Sequence, residues 1–424
     1  MLGEEIHALA TRLWGVHRSL TGDGVRETLS ILKQSVLPSL TLHEVPSGTK
    51  VFDWTVPKEW RVRDAYILTP SGRKICDFKE NNLHLVGYSS PVRQRLSLSE
   101  LNQHLYSLPE QPNAIPYITS YYAERWGFCL TQQQRDQLPE GTYEVVVDSE
   151  LFDGNLTYGE FILSGATREE VFLSTYFCHP SMANNELSGP TVTAYLGRWL
   201  ASQPRKYTYR IVFIPETIGS ITYLSKHLDW LKKHVIAGFN VSCVGDDRAY
   251  SYLPSRKGDT LSDAVAKHVL RWIAPSYSSY DWSERGSDER QYCAPGVDLP
   301  IASIMRTKYG MYPEYHTSFD DLISVVTPQG LEGGYNALKL AIEAIERQCR
   351  PKATVLGEPQ LGKRGLYPTL STKNSGKEVR LMMDLITWSD GDHTLLEIAD
   401  KCKAPVWELY PILDKLKEHK LLTV

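Results

Sequence analysis

Between Val171 and Leu200 the chain passes from a largely apolar run, VFLSTYF, through Cys178-His179 and a turn of small and amide residues, into PTVTAYLGRWL, whose apolar positions recur at helical spacing. This pattern predicts a buried strand, a turn and a helix. The alternation repeats downstream. YRIVFIPE reads as a strand, SITYLSKHL as a helix, IAGFNVSCV as a strand, Ile301 to Arg306 as a short strand and Leu331 to Arg347 as a long helix. Strands alternating with helices predict an α/β fold with a mostly parallel sheet flanked by helices. TYEVVVDSEL and LTYGEFIL flank Asp153-Gly154-Asn155 and read as a hairpin.

The N-terminal stretch reads as two helices, Glu4 to Val16 and Arg26 to Ser35, joined by a turn at Leu20-Thr21-Gly22-Asp23-Gly24. From Lys50 to Arg135 the texture changes to short β-like runs (KVFDWTV, DAYILTP, KICDF, LHLVGYS) ending in an aromatic stretch with Tyr117, Tyr121, Tyr122 and Trp126 around Arg125. That stretch suits either a core with its lid or the wall of a substrate cleft. Gln348 to Ser375 is rich in Pro, Gly and Lys and reads as a linker. Val379 to Trp388, Leu395 to Cys402 and Val406 to His419 then outline a winged helix. The expected organisation is an α/β domain from 1–49 and 136–350, an inserted β-rich module at 50–135, a linker at 351–375 and a winged-helix-like domain at 376–424.

Composition narrows the function classes. A net charge of -4 gives no general attraction to nucleic acid or anionic membrane. The winged-helix segment from Leu366 onward carries eight Lys or Arg against nine Asp or Glu, so protein docking or dimer formation is expected of it rather than DNA binding, and a homo-oligomer is expected of the chain. No stretch has the length of a membrane span, and the acids of MLGEEIHALATRLWGVHRSL stand where a secretory signal carries bases. Seven scattered cysteines without a CxxC pair fit reduced thiols in a cytoplasm.

Chemistry in an open α/β sheet collects at the carboxyl ends of the strands. Four such ends carry candidate side chains: His179 after VFLSTYFC, Glu216 closing RIVFIPE, Asp246 in FNVSCVGDD and His316 in PEYHTSFDD. Each alone has an ordinary structural reading: a hydrogen-bonded histidine, a helix-start acid, a turn aspartate, a helix cap. Together, two imidazoles and a carboxylate suit a borderline metal such as zinc, and a separate glutamate could take a proton from metal-bound water.

The order and wording of these motifs resemble the co-catalytic zinc aminopeptidases, a superfamily that also holds glutaminyl cyclases and the transferrin receptor ectodomain. More closely, RSLTGDGVRETL, EVPSGTKVFDW, AIPYITSYYAERWGFCL and LEIADKCKAPVWELYPILDKL resemble a bacterial subgroup of aminopeptidase-like proteins with an inserted domain and a C-terminal winged helix, often associated with polysaccharide biosynthesis. The resemblance implies His179, Asp246 and His316 as metal ligands and Glu216 as the base. Where that family bridges two metals with an aspartate this chain has Asn185, and where it has a ligand glutamate this chain has Thr217. A neutral amide and a hydroxyl are poor substitutes, so one zinc ion is expected rather than two. Glu186 is expected to face away from the site, by the register of Ser188-Gly189.

Site neighbours are expected in Asp288, Glu289 and Arg290 of GSDERQYCAPG, and in Arg306 and Tyr309 ahead of the last histidine. A carboxylate there could hold a substrate ammonium and Arg306 a carboxylate, while surface salt bridging is the plain reading of Glu289 and Arg290. Three functions remain open: a metal-dependent hydrolase of a peptide or small aminoacyl amide, a non-hydrolytic amide-forming or cyclising enzyme of a biosynthetic pathway, and a binding protein that has lost catalysis.

Overall fold

The apolar run beginning at Val171 becomes strand Glu170–Tyr176, buried at every residue, at the middle of an eight-stranded sheet. The computed structural model describes residues 1–366 and 373–424. The strand pairs in parallel with Thr208–Ile214 on one side and Val235–Asn240 on the other, and Val235–Asn240 pairs in parallel with Ile301–Met305. Both margins turn antiparallel, through Asn155–Leu163 and Thr41–Pro46 at one edge and Ser251–Leu253 at the other. Strands buried on both faces need near-continuous apolar sequence, which is why the central ones were readable.

Helix Ser188–Ala201 follows the central strand and seats its first turn directly on the sheet. A Cβ at Gly189 would run into the Val241 carbonyl and Thr175 Oγ1. Helix Ile218–His234 follows strand Thr208–Ile214 in the same way. The carboxyl ends of these two parallel strands therefore open onto helix starts.

The expected hairpin between TYEVVVDSEL and LTYGEFIL does not form. Strand Thr142–Phe152 pairs with Glu59–Leu68 and Val92–Ser97 in a separate four-stranded sheet, while Asn155–Leu163 joins the large sheet. The intervening corner is pinned from outside, since Glu59 Oε2 accepts the Asn155 N–H at 2.9 Å and Ser47 Oγ accepts the Gly154 N–H at 3.1 Å. The β-rich module's sheet thus runs past the boundary expected at residue 135. Its core is continuous with that of the α/β sheet: Trp60, Tyr88 and Tyr143 belong to the same apolar cluster as Phe172 and Ile214.

Contacts divide the chain into two units, Met1–Ser262 with Ser278–Asn336, and Asp263–Tyr277 with Ala337–Val424. The second holds helices Lys373–Trp388, Leu395–Cys402 and Val406–Glu418. Strand Lys352–Ala353 pairs there with Leu422–Thr423, so part of the stretch expected as a linker is built into this unit; the rest of that stretch lies partly outside the described residues. His268 is buried in the same unit, with Nδ1 against Asp400 at 2.9 Å and Nε2 accepting the Val406 N–H at 2.9 Å. Among the described residues no helix is long and apolar enough to cross a membrane.

Candidate active site

His179 lies just past the end of strand Glu170–Tyr176 and is fixed from behind. Glu186 accepts the His179 backbone N–H at 2.9 Å through Oε2 and takes ring Nδ1 with Oε1. The remaining nitrogen, Nε2, has Glu216 Oε2 3.7 Å away. Glu186 therefore faces inward and is fully buried, contrary to the register expected from Ser188-Gly189. The cause is Asp320, which accepts the Asn184 and Asn185 N–H groups at 2.7 and 3.1 Å and tightens the turn ahead of the helix.

Glu216 lies just past the end of strand Thr208–Ile214, its N–H donating to Cys178 Sγ at 3.2 Å. Thr217 follows at φ 62°, a region that β-branched residues seldom enter. Asp288 holds this conformation: its Oδ1 accepts the Thr217 N–H at 2.7 Å and the Ser220 hydroxyl at 2.9 Å. Burial, reinforced by Asp288, raises the proton affinity of Glu216, and burial raises that of Asp288. Neighbouring carboxyls withdrawn from water resist ionising together, so the pair favours keeping a proton.

His316, also at positive φ (58°), stacks on Tyr315 and places its ring 5.5 Å from that of His179. Burial pushes His316 down to about 4. Burial, with His316 and Arg18 adding, holds His179 well below its ordinary value. Both imidazoles are therefore neutral, with lone pairs available. The inserted module closes over them. Tyr117 N–H donates to the His316 carbonyl at 2.9 Å, and the Tyr117 ring stands edge-on to His179 and His316 at 4.5 and 5.3 Å between centroids. Its hydroxyl bonds Tyr121 at 2.9 Å, whereas Tyr122 is exposed and meets Trp54.

Several expected site residues stand elsewhere. Asp246 is saturated: Asn184 Nδ2, the Thr307 N–H, the Thr307 hydroxyl and the Arg248 N–H all donate to it at 2.7 to 3.0 Å. A carboxylate offers about four acceptor positions, and these four donors already occupy Asp246. Arg306 is buried with its guanidinium 3.9 Å over the Tyr250 ring and against Gly333, not beside His179 or Glu216. Glu289 is fully buried, accepting Gly286 N–H, Ser287 N–H, Tyr309 hydroxyl and Asn240 Nδ2. It and Tyr309 brace the loop that delivers Asp288.

Sequence reasoning missed Arg18, which is wholly buried and donates to the Leu13 carbonyl at 2.6 Å and the His179 carbonyl at 3.5 Å. A lone arginine after a helix carries no pattern that would mark it. Cys178, His179 and Glu186 bring potential ligand atoms within 4.8 Å of one another. The Arg18 charge behind them and the raised thiol of Cys178 disfavour a cation on that side. On the other side, His316 Nε2 and Asn185 Oδ1 are buried without hydrogen-bond partners. Orphaned acceptors of this kind call for a donor or a cation.

Residues 7–348 match the family described as a domain of unknown function (DUF4910). The chain belongs to this family. Residues 349–424 match a winged helix-turn-helix. A Clostridium acetobutylicum relative, 44% identical over 405 residues that cover 94% of this chain and 91% of its own, is described as a polysaccharide biosynthesis protein with an aminopeptidase-like domain. A crystal structure from C. acetobutylicum, 42% identical, superposes with a TM-score of 0.93 over 99% of this chain and 96% of that one. A zinc aminopeptidase from Bacillus subtilis superposes with a TM-score of 0.59 over 81% of this chain and 94% of its own at 12% identity. That last likeness shows that this DUF4910 member has an aminopeptidase-like fold, and no more.

Proposed function

We propose that the chain is a single-metal hydrolase acting on an amide bond at the amino terminus of a peptide or on a small aminoacyl amide. The observation that carries this is the His179 imidazole, backed at Nδ1 by Glu186, with Nε2 3.7 Å from the half-buried carboxyl of Glu216. A carboxylate behind a histidine fixes its tautomer and orientation for ligation. His179 Nε2 and His316 Nε2 would hold one ion, with Asn185 Oδ1, like His316 Nε2 buried without a hydrogen-bond partner, as an oxygen donor in place of the engaged Asp246. Zinc bound there supplies a Lewis acid and lowers the pKa of bound water.

The chain's own residues do the rest. Glu216 takes and returns the proton, and Asp288 keeps its proton affinity high. Asp288 also holds the Thr217 corner that aims Glu216 at His179. Tyr117 covers both imidazoles and limits water in the site. Glu216→Gln is expected to abolish cleavage of alanyl-alaninamide in zinc-loaded protein while zinc stoichiometry stays at one; unchanged turnover refutes the role of Glu216. The saturation of Asp246 and the neutral Asn185 and Thr217 favour a second reading, a binding protein without catalysis, and zinc uptake below one equivalent would support it.

A further inference from the structure

Arg290 is the one charged residue of the GSDERQYCAPG loop that turns outward. The two acids before it in sequence are both consumed inside: Asp288 by Thr217 and Ser220, Glu289 by Gly286, Ser287, Asn240 and Tyr309. Arg290 is left with neutral acceptors, Nε donating to the Ser287 carbonyl at 3.0 Å and Nη2 to Thr217 Oγ1 at 3.2 Å. Among the described residues no carboxylate pairs with it. These two bonds fix the guanidinium beside Thr217, next in sequence to Glu216, and its charge is felt at Glu216 and at Tyr315, the neighbour of His316. Arg290 is exposed, and the Glu216 side chain retains 20% of its surface.

An oriented guanidinium without an acid, at the open side of a carboxyl-and-imidazole site, matches the geometry of an incoming carboxylate. We propose that Arg290 anchors a carboxylate of the substrate, so that the site selects amides carrying a free carboxylate close to the bond, such as dipeptides, over their neutral counterparts. The surface salt bridging expected of Glu289 and Arg290 would have quenched this; burying Asp288 and Glu289 keeps the cation available. Arg290 is thus a specificity-determining residue. The selection among substrates rests on the hydrolase reading above, whereas the binding of the carboxylate does not.

The test compares L-alanyl-L-alanine with L-alanyl-L-alaninamide, by calorimetric titration and by release of alanine, on zinc-loaded wild type, Arg290→Gln and Arg290→Lys. Wild type is expected to bind the free acid more tightly than the amide by on the order of tenfold. Arg290→Gln is expected to lose that preference through a weaker Kd for the acid, and Arg290→Lys to keep part of it. Equal affinity of wild type for acid and amide, or a preference that survives in Arg290→Gln, overturns the assignment. Arg290-dependent binding of the acid without hydrolysis of either compound sustains the anchor and refutes the hydrolase reading; binding of neither refutes both.

Discussion

Glu186 grips His179 at two points, accepting its backbone N–H at 2.9 Å with one carboxylate oxygen and its ring Nδ1 with the other. The grip assigns Nε2 as the free nitrogen. Glu186→Gln removes the charge while keeping the shape, so zinc affinity is expected to fall about 10- to 100-fold, the usual cost of losing a partner behind a ligating histidine. Competition with a chromophoric chelator measures it. An unchanged affinity would mean that His179 does not ligate through Nε2.

Asp246 and His316, which the family resemblance pairs as metal ligands, are expected to respond differently to substitution. His316→Ala is expected to abolish stoichiometric zinc binding with little loss of fold, because its Nε2 has no protein partner. Asp246→Asn is expected to leave zinc stoichiometry intact. It should nevertheless destabilise the first unit by about 1–3 kcal/mol, since an amide NH2 must face donors from Asn184, Thr307 or Arg248. Metal analysis beside urea denaturation separates the two: loss of zinc in Asp246→Asn, with the fold intact, would restore Asp246 as a ligand.

How much of this was legible follows from where the constraint lies. Largely apolar runs such as Val171–Phe177 can only be buried strands or buried helix, and their short length and the turn after them decided for strands. His179 and Glu216 were visible because strand ends are where such sheets expose polar groups; His316 lies in a loop well past strand Ile301–Met305 and was legible only from its place in the order of motifs. The facing of Glu186 was not visible, because Asp320, far away in sequence, sets the turn at Asn184 and Asn185. The engagement of Asp246 by Thr307 and Asn184 was not visible either, because it is a tertiary fact. The false hairpin at Asp153-Gly154 has the same origin: the turn chemistry was read correctly, but Glu59 and Ser47 hold the corner open between two sheets.

Gly189 tests the packing that sets the His179 turn. An added methyl would press on the Val241 carbonyl and Thr175 Oγ1, neither of which can withdraw without moving a central strand. Gly189→Ala is expected to lower stability by about 1–3 kcal/mol, read as a lower denaturation midpoint for the first unit. A neutral result would show that helix Ser188–Ala201 can lift from the sheet.

Acid sensitivity of the winged-helix unit is expected at Asp390. Its Oδ1 accepts the Asp392 and His393 N–H groups at 2.8 and 3.0 Å, and its Oδ2 meets His393 Nδ1 at 2.7 Å. The backbone donors of His393 and Asp392 pull the carboxyl down to about 2. A carboxyl whose folded pKa lies below its unfolded value binds fewer protons when folded. Its contribution is therefore complete above about pH 4 and fades as pH falls toward about 2. Asp390→Asn should lower the hydrogen-exchange protection of peptides covering residues 389–402 near neutral pH. The gap between wild type and variant should close as the pH is lowered below about 3, after correction for intrinsic exchange. A gap that stays constant with pH would mean that the turn is held by its shape, through Gly391 at φ 93°, and not by the charge of Asp390.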